Sequence, residues 1–352
     1  MERRQRHSLA AGHHGQDRCR AGAEHLCRQV DRAEEAELKL LAKVVAMTPS
    51  VIIKPAQPRL RGALTYDERA ALLFLAPLAI VLLAVAVFPI LYSFYISLFS
   101  LRLTRPGRMP FVGLDNYVAV LSDTHFWQAV QRTAYFSVLS VAAIVVLALL
   151  VALLLNEEFP GRRLLGALLL VPWAIPYVAN ALMWKWIYDS NYGALNGLLY
   201  QLDFINSYMV WLGDSAKTLP LIANAFVWKE MPLAAILLLV GLKTIPPDLY
   251  AAARVDGANI VRRFFHITLP QLSSAFALVV VYETMMAIRH FDLFFILTEG
   301  GPGDASSVVA WRIYVETFRN LSFGTGAAMA YLLALATLAL AYVIIRVLAR
   351  KI

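Results

Sequence analysis

Across 352 residues the chain is 59% hydrophobic and only 16% charged, which excludes an ordinary water-soluble domain and points to a polytopic membrane protein. The formal charge of +8 is not a nucleic-acid footprint, because the cations lie in the N-terminal tail and in short loops between apolar runs. The only cysteines, Cys19 and Cys27, sit in that tail without further ligands, so neither a disulfide framework nor a metal site is expected.

The polar tail, residues 1–69, alternates charges, as in DRAEEAELK from Asp31 to Lys39, and is expected to be cytoplasmic and partly disordered. No cleavable signal peptide is expected, since the first apolar run begins near Ala70. From there residues 70–352 read as one all-α transmembrane domain. Its six apolar runs are Ala70–Phe99, Ala129–Leu155, Leu164–Tyr188, Thr218–Leu242, Leu272–Leu297 and Thr325–Leu348. Each is long enough to cross a hydrocarbon core of about 30 Å, which takes roughly 20 helical residues.

Lys and Arg are more numerous on one set of loops. Arg162, Arg163, Lys243, Arg254, Arg262 and Arg263 join the cations flanking both termini, against Arg102, Arg105, Arg108, Lys217, Arg312 and Arg319 on the other side. The positive-inside bias therefore predicts that both termini are cytoplasmic. On the outer side, RPGRMPFVGLDNY marks turns, Asp189–Lys217 suits a short interfacial helix, and EGGPGDASS leads into the amphipathic VVAWRIYVETF.

Between the fourth and fifth runs lies the longest polar interruption, residues 246–270. Pro246 and Pro247 end one segment and pre-set φ for a new helix, and Asp248 puts negative charge near its start. Ala251, Ala252 and Ala253 combine helix propensity with little bulk, and Gly257 after Asp256 offers a turn before Ala258. A second short helix is expected to set Ile260, Phe264 and Ile267 against Arg262 and Arg263 and to stop at Pro270. From composition alone this is equally an amphipathic loop lying on the membrane surface, arginines toward lipid phosphates.

The order of Ala252, Ala253, Gly257, Ile267, Leu269 and Pro270 resembles the signature loop of inner-membrane permease subunits of ABC importers. The wording DGA at Asp256–Ala258 and FxxITLP at Phe264–Pro270 looks most like the carbohydrate-uptake branch, the maltose and glycerol-phosphate type. GGPG after the fifth run and FGTGAA at Phe323–Ala328 strengthen the likeness, which covers roughly Gln128–Leu348. The signature usually opens on a glutamate where this chain has Ala251, and Asp248 is a candidate replacement. The resemblance implies a coupling helix that docks on an ATPase through Asp248, Ala251–Ala253, Asp256, Gly257, Ala258, Phe264 and Pro270. It also implies a bacterial cytoplasmic (inner) membrane location, a second homologous permease subunit, two ATP-binding ABC subunits and an extracytoplasmic solute-binding protein. ATP and Mg are then cofactors of the partner ATPase. This subunit carries no cofactor and is not an enzyme, since EGGPGDASS lacks the GxxxxGK[ST] spacing of a phosphate-binding loop.

Ionisable groups inside apolar runs are functional candidates by default. Asn224, Lys229 and Glu230 fall in the fourth run, and Glu283, Ala287 and His290 follow at i, i+4 and i+7 in the fifth. Trp173, Tyr177 and Asn180 have the same spacing in the third run, where Pro172 and Pro176 should bend the helix. Tyr177, Asn180, Asn224, Glu230, Glu283, Ala287 and His290 are thus candidates for a substrate path. The plainer readings are interface aromatics for Trp173 and Tyr177, and an Arg289–Asp292 pair near the outer end. Lys229 and Glu230, being adjacent, are expected on different faces. The reading reached is a permease subunit of an ATP-driven importer for an oligosaccharide, sugar derivative or polyol. The alternatives are an importer of a non-sugar solute and an ion-coupled secondary transporter, for which inverted repeats and buried acids would be the marks.

Overall fold

In a computed structural model, residues 66–104 and 107–349 are described; the tail to Thr65 with both cysteines, Arg105, Arg350 and Lys351 lie outside them. The chain divides into two units, Met1–Leu75 and Ala76–Ile352, and the second carries the packed helices. Among the described residues the architecture is helical, with two isolated bridges, Phe99 to Phe111 and Arg102 to Ser322, and no strand.

The helices, in order, are α1 (Tyr66–Leu82), continued through a π turn into α2 (Phe88–Ser97), then α3 (Asp115–Ser122), α4 (Thr124–Asn156), α5 (Arg162–Ala174), α6 (Tyr177–Ile187) and α7 (Ala194–Gln201). After them come α8 (Ser215–Lys243), α9 (Pro247–Val255), α10 (Ile260–Arg263), α11 (Leu269–Gln271), α12 (Ser273–Ile288), α13 (Asp292–Leu297), α14 (Val309–Tyr314) and α15 (Phe323–Ala349). Among the described residues four helices are long and apolar enough to cross a membrane unaided, and up to six spans result if two bent pairs each count as one. The bent pairs are α5 with α6, at 95°, and Ile260–Gln271 with Ser273–Leu297, at 65°.

The first bend is the one Pro172 and Pro176 predict: Pro176 supplies no N–H, and the residue before it is pushed to an extended conformation, ψ 132° at Ile175. The third apolar run is therefore an interrupted span rather than a single rod; the 65° bend falls at Leu272, at the head of the fifth run, which is itself broken between Ile288 and Asp292.

The core is built on α8, which packs along α4 and against α5 and α12. Phe136 of α4 meets Phe226 of α8 and Phe294 of α13 edge to face, with ring centroids 5.5 and 4.9 Å apart. Asp214 caps α8 through Ala216 N–H and Asp123 caps α4 through His125 N–H. On the α15 side, Tyr331 donates its hydroxyl to the Ile90 carbonyl, and Leu103 N–H bonds Leu321 O at 2.9 Å.

The loop Asp189–Lys217 does contain a short helix, α7, and is knotted by one buried side chain. Asn196 donates to Asp189 O and Met209 O and accepts from Met209 N–H and Trp211 Nε1. EGGPGDASS is a turn, with Gly300 and Gly303 at positive φ and Ser306 Oγ donating to Gly301 O.

Candidate functional site: an exposed loop and a buried polar cluster

The 246–270 loop is an assembled helix-turn-helix. Pro246 precedes the first helical residue, Pro247, whose missing N–H costs nothing there. Helix α9 has Asp248 in its first turn and Arg254 in its last, both matching the macrodipole. It ends in a two-bond αL stop: Ala258 N–H reaches Ala253 O at 2.9 Å and Gly257 N–H reaches Arg254 O at 3.1 Å. Gly257 has φ +74°, which is why glycine stands there. Two residues later Asn259 caps α10, its side chain accepting from Arg262 N–H at 2.8 Å.

Nearly all of α9 is uncovered. Asp248, Ala251, Ala252, Asp256 and Gly257 are exposed, Ala253 and Ala258 half-buried, and Val255 is 89% exposed. Tyr250 turns inward, its hydroxyl 3.0 Å from Thr268 Oγ1, which ties α9 to the return segment.

That segment departs from the expected faces. Arg263, Phe264 and Ile267 are half-buried together, while Ile260 and Arg262 are exposed. Arg263 precedes Phe264 by one residue and Ile267 by four, so ordinary helical spacing puts it on their side, while Ile260 opens α10 and is left uncovered. A π turn at Phe264–Thr268 then carries the helix through Pro270 to Gln271, where the sequence predicts a stop at the proline.

The second constellation is buried where the two interrupted spans meet α8. The Tyr177 hydroxyl donates to Glu230 Oε1 at 2.8 Å. Lys229 Nζ donates to Trp173 O at 2.8 Å, next to the break between α5 and α6, and sits 4.5 Å from the centre of the Tyr177 ring. Although adjacent, Lys229 and Glu230 thus converge on Tyr177, one at its ring face and one at its hydroxyl. His290 packs edge-on to Tyr177 and Phe226, with centroids 5.1 and 5.0 Å apart. Asn180 donates to Ala225 O at 3.3 Å, and Glu283 is fully buried within electrostatic reach of Glu230.

This cluster is short of partners. Among the described residues, Asn180 Oδ1, Glu230 Oε2, both Glu283 oxygens and His290 Nε2 are buried without a hydrogen bond. Buried polar atoms are normally paired, so five orphans near one junction set this cluster apart from the surrounding core.

Some predicted neighbours part company. Trp173 ends up on α5 and Tyr177 with Asn180 on α6, so the 95° bend breaks their common face. Helix α12 stops at Ile288, which places His290 in the break before α13 rather than on the helical face of Glu283 and Ala287, though all three are buried. Asn224 is exposed and donates to Tyr188 Oη at 3.0 Å, away from the buried carboxylates. Arg289 contacts Met286 Sδ rather than Asp292, which heads α13. The Lys229–Trp173 bond was invisible in the sequence; the proline pair, which frees carbonyls, was its one available signal.

The family described as binding-protein-dependent transport system inner membrane component matches residues 124–352. Over 275 residues, 78% of this chain and 92% of the relative, the chain is 38% identical to the trehalose/maltose transport system permease protein of Thermococcus litoralis. It is 34% identical to the sulfoquinovosyl glycerol transport system permease protein of Agrobacterium fabrum, covering 81% of this chain and 92% of that one. A crystal structure of a bacterial ABC transporter importing alginate shares the fold, with a TM-score of 0.68 at 20% identity over 81% of this chain and 96% of that one. The chain belongs to the inner-membrane permease family of binding-protein-dependent transport systems, multi-pass membrane proteins of which it is a transport subunit.

Proposed function

We propose that this chain is the membrane-spanning permease of an ATP-driven importer for a carbohydrate: an oligosaccharide, a sugar derivative or a polyol. The observation that carries the proposal is the exposed, rigidly capped α9 with its glycine stop, joined to α8 by Thr244–Pro246 alone. Such an element suits insertion into a cleft of a nucleotide-hydrolysing partner, with motion of that partner returning to the membrane as a rigid-body shift. ATP and Mg belong to the partner in this reading, which the missing phosphate-loop spacing supports. A second, homologous permease completes the pathway, and an extracytoplasmic binding protein delivers the solute. Both termini and α9 lie on the cytoplasmic side.

The sugar assignment draws on the relatives named for trehalose/maltose and sulfoquinovosyl glycerol. It is also supported by chemistry: Glu230, Glu283, Asn180 and His290 offer buried acceptors for hydroxyl donors, with Tyr177 beside them. In an alternating mechanism these groups meet water or solute in one state and bury in the other. The test is to co-purify the chain with its neighbours and measure ATP hydrolysis against a panel of sugars with the cognate binding protein. Stimulation by a polyhydroxylated solute is expected. Stimulation by a peptide or phosphonate and by no carbohydrate overturns the substrate class.

A further inference from the structure

Behind the 246–270 loop, lined by Asn156 at the end of α4 and Leu242 in the last turn of α8, lies a cavity of about 830 Å³. Two cations, Arg254 and Arg263, line it, and neither has an ion-pair partner among the described residues. Arg263 Nε is buried with no acceptor, a guanidinium donor turned away from water and left unused. The one acid on the lining, Glu157, is exposed at the rim. Apart from Asn156, Tyr250 and Thr268 the remaining wall is apolar and runs out to Leu154, Val261 and Phe265, all more than half exposed.

One half-buried guanidinium with an unused inward donor, Arg263, a second and exposed cation, Arg254, and an exposed apolar track leading away, at the depth where two spans end, complement a phosphate that carries acyl chains. Basic pockets between transmembrane helices are known to take phospholipid headgroups, and the arginine fork matches phosphate oxygens. We propose that this cavity binds the headgroup phosphate of one anionic phospholipid, held by Arg254 and Arg263, with an acyl chain along Val261, Phe265 and Leu154. A lipid there braces the hidden side of the 246–270 loop and leaves the uncovered side of α9 free. The inference rests on the proposed topology only for which leaflet supplies the lipid.

Native mass spectrometry of the full-length chain purified with its partner subunits tests it, using phosphatidylglycerol and phosphatidylcholine as probes. One phosphatidylglycerol should stay bound under conditions that strip phosphatidylcholine. Arg254→Gln and Arg263→Gln should each weaken retention about fivefold, the effect of one cation at a membrane surface. Arg263→Lys should keep most of it, and Arg262→Gln, off the cavity, should change nothing. Equal retention of both lipids, or indifference to Arg263→Gln, overturns the proposal. Displacement of the adduct by millimolar inorganic phosphate reassigns the site to a free anion and overturns the lipid assignment. Two further readouts keep the readings apart: labelling of Val255→Cys by a membrane-impermeant maleimide reports the side of the loop, and co-purification of the ATP-binding subunit reports docking.

Discussion

Substituting Gly257 separates backbone conformation from packing in the loop. The residue sits at φ +74°, and a Cβ built on it meets nothing within 4 Å. Steric contact with neighbours therefore contributes no cost, and what remains is the backbone term. For an L-residue in the left-handed region that is about 1–2 kcal/mol, enough to shift the helix-stop equilibrium roughly 5- to 30-fold. Gly257→Ala should incur it in full, and Gly257→Asn much less, because asparagine tolerates this conformation. Gly257→Pro is different in kind: it fixes φ near −65° and removes the N–H that bonds Arg254 O at 3.1 Å. The assay is transport-coupled ATP hydrolysis in proteoliposomes, alongside membrane insertion of each variant. The expected order is glycine, asparagine, alanine, with proline abolishing coupling while the chain still inserts. Full transport by Gly257→Pro, or equal losses in the asparagine and alanine variants, refutes the docking role of this turn.

Three other outcomes are expected from the geometry. Gly324→Ala sets a methyl against the Phe99 carbonyl oxygen and Gly326→Ala against Thr317 Oγ1. Each should cost about 1–3 kcal/mol by overpacking, seen as a lower melting temperature in detergent, while Gly166→Ala, with open space around it, should not lower it. Tyr177→Phe leaves Glu230 Oε1 without its donor; a loss of about 1–3 kcal/mol is expected for an orphaned buried acceptor, and a melting temperature equal to wild type would place that oxygen in water. Ala251→Glu, on an exposed position of α9, should retain transport if the partner ATPase keeps a basic residue for the family glutamate, and complete loss of transport would mean a different contact there.

The spans were legible because their signal is cumulative. Thr218–Leu242 and Ala129–Leu155 are long apolar runs, and they lie inside α8 and α4 within a few residues. The bend between α5 and α6 was legible too, since proline acts through its own covalent geometry. Its consequences were not: periodicity assumes one axis, so Trp173 and Tyr177 looked like neighbours on one face until the 95° bend separated them. Arg263 was set against Phe264 and Ile267 by its charge, although its spacing from them puts it on their half-buried side, and Ile260 at the opening of α10 is left exposed. Glu283 and Glu230 stood out as acids in apolar runs, but their approach is a tertiary fact set by how α12 crosses α8. The cavity behind the loop had no sequence signal beyond its arginines, which charge counting assigned to topology.

Helix α8 links the two constellations mechanically. It is unbroken from Ser215 to Lys243 despite Pro220 and Pro232, and it bears Lys229 and Glu230 about 20 Å along its axis from the end that leads into α9. Each of those side chains reaches a group at the 95° break, Lys229 the Trp173 carbonyl and Glu230 the Tyr177 hydroxyl. In the proposed coupling, a displacement of α9 would have a short path to α8, since only Thr244–Pro246 intervene and Ile245 is buried. It would be felt at the contacts between α8 and the interrupted span, where, among the described residues, five polar atoms already lack partners. Breaking the two hydrogen bonds there would orphan Glu230 Oε1 and the Lys229 ammonium as well, at about 1–3 kcal/mol or more each unless water or solute takes their place.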